Sequence, residues 1–183
     1  MHERLAPSRE AFDLVYTHCQ IVGRIAESIG SAAADMALVR AGSLLHDIGV
    51  YRLYEGGVLD HAGYVRHGVL GRDLLRAAGY PEVLCRFCSC HTGVGITRDD
   101  VVRQRLPIPV GDYVAETEEE RLVMYADKFH SKSSPPRFVT AAVYADSVRR
   151  FGADKAVRFA AMVQRYGEPD LAPIAADYGH RIE

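Results

Sequence analysis

The segment Leu44-Leu45-His46-Asp47-Ile48-Gly49 places two polar residues at the inner end of an apolar stretch. Burying a histidine beside an aspartate costs free energy unless both side chains find partners. A metal ion would satisfy both, because imidazole nitrogen and carboxylate oxygen are each metal ligands. A buried histidine next to an N-capping or salt-bridged aspartate would give the same pair of letters, so the pair alone leaves both interpretations open.

Around this segment the sequence predicts an all-α helical bundle. Ser8 is a suitable N-cap for a helix that ends at Gly30, and a second helix runs from near Asp35 to Gly49. A Gly- and Tyr-rich loop follows from Val50 to about Leu59, and no alternating strand pattern is present. The other predicted helices are Ala62 to Ala78, Pro81 to His91, two that open at S/T-x-x-D/E capping boxes (Thr97 and Thr117), Phe138 to Phe151, and Ala153 to Tyr166. We expect one domain over residues 1–183, with a core at about 10–131 and C-terminal helices at about 135–178.

Further candidate ligands lie on the other predicted helices, each beside apolar residues. Inward-pointing ligands from successive helices are how helical bundles build metal sites. One predicted helix carries His46 and Asp47, and four others carry one candidate each: His18, His67, His91 and Asp127. His130 and His180 have no such supporting context, and neither has His2.

In this order the six residues resemble the HD superfamily of metal-dependent phosphohydrolases, and within it the small HD proteins classed only as predicted hydrolases. The resemblance covers about residues 10 to 166 and is specific for fold and metal binding, but almost silent on substrate. The strings that carry it are residues 44–49, His67-Gly68-Val69-Leu70-Gly71, His91-Thr92-Gly93-Val94-Gly95-Ile96-Thr97, Gly111-Asp112-Tyr113-Val114 and Tyr125-Ala126-Asp127.

The resemblance implies a role for each ligand. His18, His46, Asp47 and Asp127 match the positions that hold a first metal ion. His67 and His91 match those that join a bridging Asp47 around a second ion, and we favour two ions. If one ion binds, these two histidines are free to contact phosphate or to protonate a leaving group. Iron, manganese, zinc and nickel all suit such ligands.

One position departs from the family pattern. Many members carry lysine directly after the equivalent of residues 46–49, where it can touch the substrate phosphate, whereas this chain has Val50. Arg52, Lys128 and Lys132 are the candidates for that contact. The metal ligands are unaffected by this difference.

Composition limits the other function classes. The 183 residues carry a formal charge of −2, which is unlike a general nucleic-acid binder. No apolar run resembles a signal peptide or a membrane span. The four cysteines do not form a disulfide framework, and the group at Cys85, Cys88 and Cys90 lacks the second ligand pair of a zinc site. We therefore expect a cytoplasmic protein with reduced cysteines; homo-oligomer formation stays open.

These observations favour hydrolysis of a phosphate mono- or diester in a nucleotide or another small phosphorylated metabolite. Asp47 would bridge the metals, with His67 and His91 beside it, and a metal-bound hydroxide would attack phosphorus. Two alternatives stay open. One is a mixed-valent di-iron oxygenase built on the same ligands, and the other is a metal-stabilised binding module without turnover.

Overall fold

Helices account for most of the chain in the computed structural model, which describes residues 1–183. The α-helices are α1 His2–Leu5, α2 Arg9–Ile29, α3 Met36–Leu45, α4 His67–Ala77, α5 Glu82–Cys90, α6 Arg98–Gln104, α7 Glu118–Asp127, α8 Ala141–Val148, α9 Ala153–Tyr166 and α10 Ala172–Tyr178. Short 3₁₀ helices lie at Ile48–Leu53, Tyr64–Arg66 and Arg149–Phe151. None of the helices is both long and apolar enough to cross a membrane.

Three predicted helix starts, at Ser8, Thr97 and Thr117, agree with caps in the structure. The hydroxyl of Ser8 accepts a hydrogen bond from the backbone N–H of Ala11 at the start of α2. Complete capping boxes open α6, at Thr97 and Asp100, and α7, at Thr117 and Glu120. Such caps satisfy the free N–H groups of a first helical turn.

Two local predictions were wrong. The segment after Gly49 is a 3₁₀ helix as far as Leu53 rather than a loop, because its apolar side chains are buried in a hydrophobic cluster instead of facing solvent. Phe138 lies in a strand rather than at the start of a helix, and α8 begins three residues later. Isolated two-residue strands leave no alternating pattern in a sequence, since alternation needs at least four residues to be visible.

Five such strands are present. Strands β1 (Tyr54–Glu55) and β2 (Val58–Leu59) form a hairpin. Strands β3 (His130–Ser131), β4 (Arg137–Phe138) and β5 (Arg181–Ile182) form a small sheet in that order, antiparallel between β3 and β4 and parallel between β4 and β5. This sheet holds the C-terminus of the chain against the segment that follows α7.

Helix α2 contributes to two hydrophobic clusters. Its residues Ile21, Val22 and Ile25 belong to a large cluster with α7 and the C-terminal helices. Val15 and Cys19 belong to a smaller one with the 3₁₀ helix after Asp47 and with α4 and α5. His18 lies on α2 between Val15 and Cys19 and has no exposed surface, so the packing of α2 fixes it deep inside the protein.

Candidate metal centre

Helix ends bring the candidate ligands together. His18 is the exception, because it stands in the middle of α2 with no exposed surface. The others stand at helix termini: His46 caps the C-terminus of α3, Asp47 precedes the following 3₁₀ helix, His67 begins α4, His91 caps the C-terminus of α5, and Asp127 ends α7. At a helix end the backbone is held rigidly, but the side chain can point beyond the end of the helix instead of into the packing of its neighbours.

Asp47 links two groups of ligand atoms. Its Oδ2 atom lies 3.3 Å from His18 Nε2 and 3.7 Å from His46 Nε2. Its Oδ1 atom lies 3.4 Å from His67 Nε2 and 3.3 Å from His91 Nε2. One carboxylate therefore faces one histidine pair with each oxygen.

Asp127 completes the first group. Its Oδ1 atom lies 3.0 Å from His18 Nε2 and 3.5 Å from His46 Nε2. The first group thus has four donor atoms, and the second group, Asp47 with His67 and His91, has three.

The hydrogen bonds on the far side of the imidazole rings turn ring nitrogens towards the centre in a way that suits a cation. The Nδ1 atoms of His67 and His91 contact the backbone carbonyls of Tyr64 and Phe87, at 2.5 and 2.9 Å. A carbonyl only accepts, so each Nδ1 carries the proton and each neutral ring turns a bare Nε2 lone pair inward. The Nε2 atoms of His67 and His91 lie 3.0 Å apart, and the buried Oδ1 of Asp47 beside them has no hydrogen-bond partner.

The spacing of the donor atoms fits metal ions. Bonds of about 2.0–2.2 Å at tetrahedral angles separate neighbouring donors by about 3.3–3.6 Å. The distances from Asp47 and Asp127 to the imidazoles, between 3.0 and 3.7 Å, bracket that range. The mixture of imidazole and carboxylate suits first-row transition metals.

Burial keeps two of the histidine ligands neutral, whereas at His46 the charges of Cys19 and Asp47 outweigh burial and raise the pKa well above its ordinary value. Burial lowers the pKa of His18 and of His67 to about 4, so both rings are neutral near pH 7. Burial alone would raise the pKa of Asp47, but the Lys132 ammonium and the neighbouring His46 outweigh it and hold that pKa well below its ordinary value. Asp47 is therefore ionised and available to cations.

Comparison with known proteins identifies the fold around this centre. The pattern of the HD domain matches residues 15–132, which include all six ligands. The chain belongs to the HD domain family. Both the family and the helical fold expected from the sequence are confirmed.

Curated relatives of this HD domain come from archaea. The tRNA (cytidine(56)-2'-O)-methyltransferase of Picrophilus torridus is 36% identical over 125 residues, covering 68% of this chain and 33% of that protein. The enzyme of the same name from Thermoplasma volcanium is 36% identical over 118 residues, covering 64% of this chain and 32% of that protein. The uncharacterized protein MJ0778 of Methanocaldococcus jannaschii is 35% identical over 119 residues, covering 62% of this chain and 64% of the relative. The chain thus spans about a third of each methyltransferase.

Solved structures agree in fold. The HD domain of the phosphodiesterase PgpH of L. monocytogenes superimposes with a TM-score of 0.54, at 15% identity over 96% of this chain and 95% of that one. The same domain in complex with cyclic-di-AMP gives a TM-score of 0.52, at 16% identity over 93% and 94% of the two chains. At such identities the likeness concerns the fold alone.

The two lysines expected near substrate occupy different places in this HD domain. Lys128 is buried and donates to Asp127 Oδ2 at 2.5 Å and to the carbonyl of His91 at 2.9 Å. Lys132 is partly exposed and pairs with Asp47 Oδ2. Arg52, the third candidate, is exposed and is not among the residues that line the cavity beside the centre.

That cavity has a volume of about 670 Å³ and opens beside Asp127. Its lining carries an excess of positive charge. The basic residues are Lys128, Lys132, Arg137 and Arg150, and Asp127 is the only carboxylate among the lining residues. Tyr64 and Tyr144 supply aromatic surface there.

Sequence reasoning missed two histidines at this centre. His130 Nδ1 lies 2.9 Å from His18 Nδ1, and His130 Nε2 lies 3.0 Å from His180 Nδ1. His18 and His130 are 112 positions apart, and His130 follows α7 in a strand too short to predict. No local pattern could have identified them.

Proposed function

We propose that this chain is a metal-dependent phosphohydrolase that acts on a phosphate mono- or diester of a nucleotide or another small phosphorylated metabolite. The position of Asp47 carries the proposal. Each of its oxygens faces a separate pair of imidazoles, which is the arrangement a dinuclear centre needs. HD family membership and the neutral, inward-facing histidine nitrogens support it.

Two ions held in this way would polarise a phosphoryl group and activate water for in-line attack. The first would be held by His18, His46, Asp47 and Asp127. The second would be held by Asp47, His67 and His91. The chain's own contribution is to turn the Nε2 atoms of His46, His67 and His91 inward through Nδ1 hydrogen bonds to backbone carbonyls, and to keep His18 and His67 neutral through burial.

The cavity beside the centre favours an anionic substrate. Lys132 lies between Asp47 and the open space, where its ammonium can shift to a substrate phosphate once cations neutralise the carboxylate. Arg150 lies in the same lining and can receive a second anionic group, whereas Arg137 there is paired with Glu183 at 2.6 Å. The volume falls within the roughly 300–1,000 Å³ typical of small-molecule sites.

The names of similar proteins support a nucleotide as the substrate. The PgpH domain has been solved with cyclic-di-AMP, and two relatives are tRNA methyltransferases. We infer that the substrate is a nucleotide or a fragment of RNA that carries a phosphate ester, small enough to enter this cavity.

The test combines metal reconstitution with a substrate panel. Metal-free protein is loaded separately with Mn²⁺, Fe²⁺, Zn²⁺ and Ni²⁺, and phosphate or nucleotide products are measured from a generic phosphodiester, nucleoside monophosphates and cyclic dinucleotides. We expect metal-dependent hydrolysis. Asp47→Ala should lose both bound metal and activity while keeping its helical circular dichroism, whereas Asp73→Ala, an exposed aspartate on α4, should keep both.

Other outcomes identify the alternatives. Dioxygen uptake by the iron-loaded protein, without phosphoester cleavage, would assign the ligands to an oxygenase. Stoichiometric metal without turnover of any kind would assign them to a binding module. Full metal content in Asp47→Ala would contradict the centre itself.

A further inference from the structure

His18 differs from the other three histidine ligands in the partner of its Nδ1 atom. His46, His67 and His91 each direct Nδ1 at a backbone carbonyl three or four residues earlier in the chain, at 2.5 to 2.9 Å. His18 directs Nδ1 at another imidazole, that of His130, at 2.9 Å. Three ligands are therefore oriented by their own helix ends, and the fourth depends on a distant residue.

The difference matters because a carbonyl only accepts hydrogen bonds. It fixes the proton on Nδ1 and leaves Nε2 free to bind metal. A neutral imidazole can donate or accept at either nitrogen, so contact with His130 permits two arrangements. In one, His18 Nδ1 donates to His130. In the other, His130 Nδ1 donates, which moves the proton of His18 to Nε2 and blocks metal binding.

His180 selects between these arrangements. Its Nδ1 lies 3.0 Å from His130 Nε2, and the two rings stack with centroids 5.2 Å apart. If His180 Nδ1 accepts, His130 carries its proton on Nε2 and must accept from His18 at Nδ1. The proton of His180 then sits on Nε2, on a residue that reaches the surface. This chain of donors leaves His18 Nε2 bare, and it opposes the Asp127 carboxylate, whose Oδ1 lies 3.0 Å from Nε2 and favours a proton there in the metal-free protein.

The C-terminal strand holds His180 in place. His180 directly precedes β5, which pairs with β4, and β4 pairs in turn with β3, the strand that carries His130. Beyond β5, Glu183 accepts a hydrogen bond from the backbone of Thr140 at 2.8 Å and donates to the carbonyl of Phe138 at 3.0 Å. The last residues of the chain and the metal centre are thus joined through one small sheet.

We propose that His130 and His180 are positioning residues that hold His18 in its metal-binding tautomer, and that docking of the C-terminal strand thereby strengthens metal binding. This inference rests on the metal centre of the proposed function, but not on the reaction catalysed there. It assigns a role to two histidines outside the ligand set.

The test is calorimetric titration of metal-free protein with Zn²⁺ or Mn²⁺. His130→Leu removes the acceptor and should weaken metal binding about 10- to 100-fold, as loss of such outer partners does elsewhere. His180→Ala leaves both His130 tautomers accessible and should weaken it by about 3- to 10-fold, the range of one hydrogen bond. His130→Gln keeps a carbonyl that can accept from His18 and should restore most of the affinity.

A spectroscopic readout and a matched control complete the experiment. In ¹⁵N-resolved NMR of the metal-free protein, the fraction of His18 protonated at Nδ1 should be lower in His180→Ala than in the wild type, because Asp127 Oδ1, 3.0 Å from His18 Nε2, favours the other tautomer. Arg181→Ala removes an exposed side chain from β5, beside His180, and should leave affinity unchanged within twofold. Because His180 lies at the surface, its variant keeps the test decisive even if His130→Leu fails to fold.

Equal metal affinity in the wild type and His180→Ala, with the same fraction of His18 protonated at Nδ1 in both, would overturn this inference. Failure of the wild type to bind metal would overturn it together with the proposed function. Metal binding without hydrolysis would count against the proposed reaction only.

Discussion

Lys128 and Lys132 show how burial separates two identical side chains. The side chain of Lys128 is 5% exposed, and its ammonium donates to the carboxylate of Asp127 and to the backbone carbonyl of His91. The side chain of Lys132 is 16% exposed and has one carboxylate partner at the edge of the cavity. We therefore assign Lys128 to the support of Asp127, and Lys132 to contact with substrate.

Replacing Lys128 with methionine tests this assignment. The change leaves Asp127 Oδ2 and the carbonyl of His91 without their buried partner. We expect the metal-free protein to lose about 3 kcal/mol of unfolding free energy, because an uncompensated buried charge remains. Urea unfolding of the metal-free variant measures this.

Lys132→Met is the matched comparison. In the metal-loaded protein it should raise KM for phosphoesters, and it should lower the unfolding free energy less than Lys128→Met, which also leaves the carbonyl of His91 without its buried partner. Equal stability losses in the two variants would show that exposure does not separate their roles.

At this scale the sequence identified all six side chains that the structure brings together, because each polar residue interrupts an apolar helix pattern. It could not show which oxygen of Asp47 faces which histidine pair. It also could not find His130 or His180, which reach His18 only through tertiary pairing of short strands.

Apart from His18, the candidate ligands lie at helix ends rather than on helix faces. The distances between them therefore depend on how closely neighbouring helices approach each other. The 3₁₀ helix after Asp47 passes α4 at Gly49. A Cβ atom at Gly49 would overlap the backbone of His67 and Gly71 more closely than non-bonded atoms can approach. Glycine is therefore required there for Asp47 and His67 to lie as close together as they do.

Gly49→Ala should separate these elements. We expect a loss of about 1–3 kcal/mol or more in unfolding free energy from overpacking. Metal content should also fall, because Asp47 Oδ1 and His67 Nε2 move apart. Thermal unfolding and metal analysis of the purified variant measure the two effects.

Gly23→Ala is the control for this substitution. Gly23 lies inside α2, and its added Cβ would meet Ser43 Cβ at an ordinary 3.5 Å. Alanine at that position should stabilise the helix by about 0.5–1 kcal/mol. If Gly49→Ala lost no more unfolding free energy than Gly23→Ala, the close approach at Gly49 would not require glycine.

Individual helices and strands were the features that the sequence predicted least completely. Long amphipathic helices such as α2 and α9 and the capping boxes were predictable, because their signals are local and repeated. The helix from Ile48 to Leu53 and strand β4 depend on what packs over them, and neither contact leaves a periodic pattern in the chain.

At the scale of the whole molecule, a buried ion pair fastens the C-terminal helices to the part of the chain that follows His91. Lys155 of α9 donates to Asp100 Oδ2 and, at 3.1 Å, to the carbonyl of Gly95. Asp100 also completes the capping box of α6 and accepts from Arg103 at 2.6 Å. Both partners of the pair are almost fully buried.

This pair gives the fold a defined response to acid. Burial raises the pKa of Asp100, but Lys155 and Thr97 outweigh it, so the folded pKa lies below the unfolded value of about 3.9. Its stabilisation is therefore complete above about pH 4 and is lost as pH falls towards the folded pKa. Asp100→Asn should cost about 3 kcal/mol at pH 7, with a difference from wild type that shrinks below pH 4. Urea unfolding of both proteins from pH 7 to 3 measures this difference. A difference that stays constant with pH would show that it does not come from the ionisation of Asp100.

Metal should stabilise the whole fold without being required for it. The two hydrophobic clusters and the ion pair at Lys155 do not involve the ligands, so the metal-free chain should stay helical. Binding to the folded state alone adds about 2.7 kcal/mol when free metal exceeds Kd by 100-fold. For a chain of this length, 1 kcal/mol shifts Tm by about 2–4 °C, so chelation should lower Tm by roughly 5–11 °C.

Scanning calorimetry with and without chelator, compared with the same scans of His46→Ala, tests this expectation. The variant should show a smaller shift than the wild type, because His46 belongs to the four-donor group that would hold the first ion but not to the group that would hold the second. An equal shift in the variant would place the stabilising metal elsewhere. Collapse of the helical signal on chelation would instead make the metal a folding element, since a catalytic ion bound to a preformed site leaves the core of the protein unchanged.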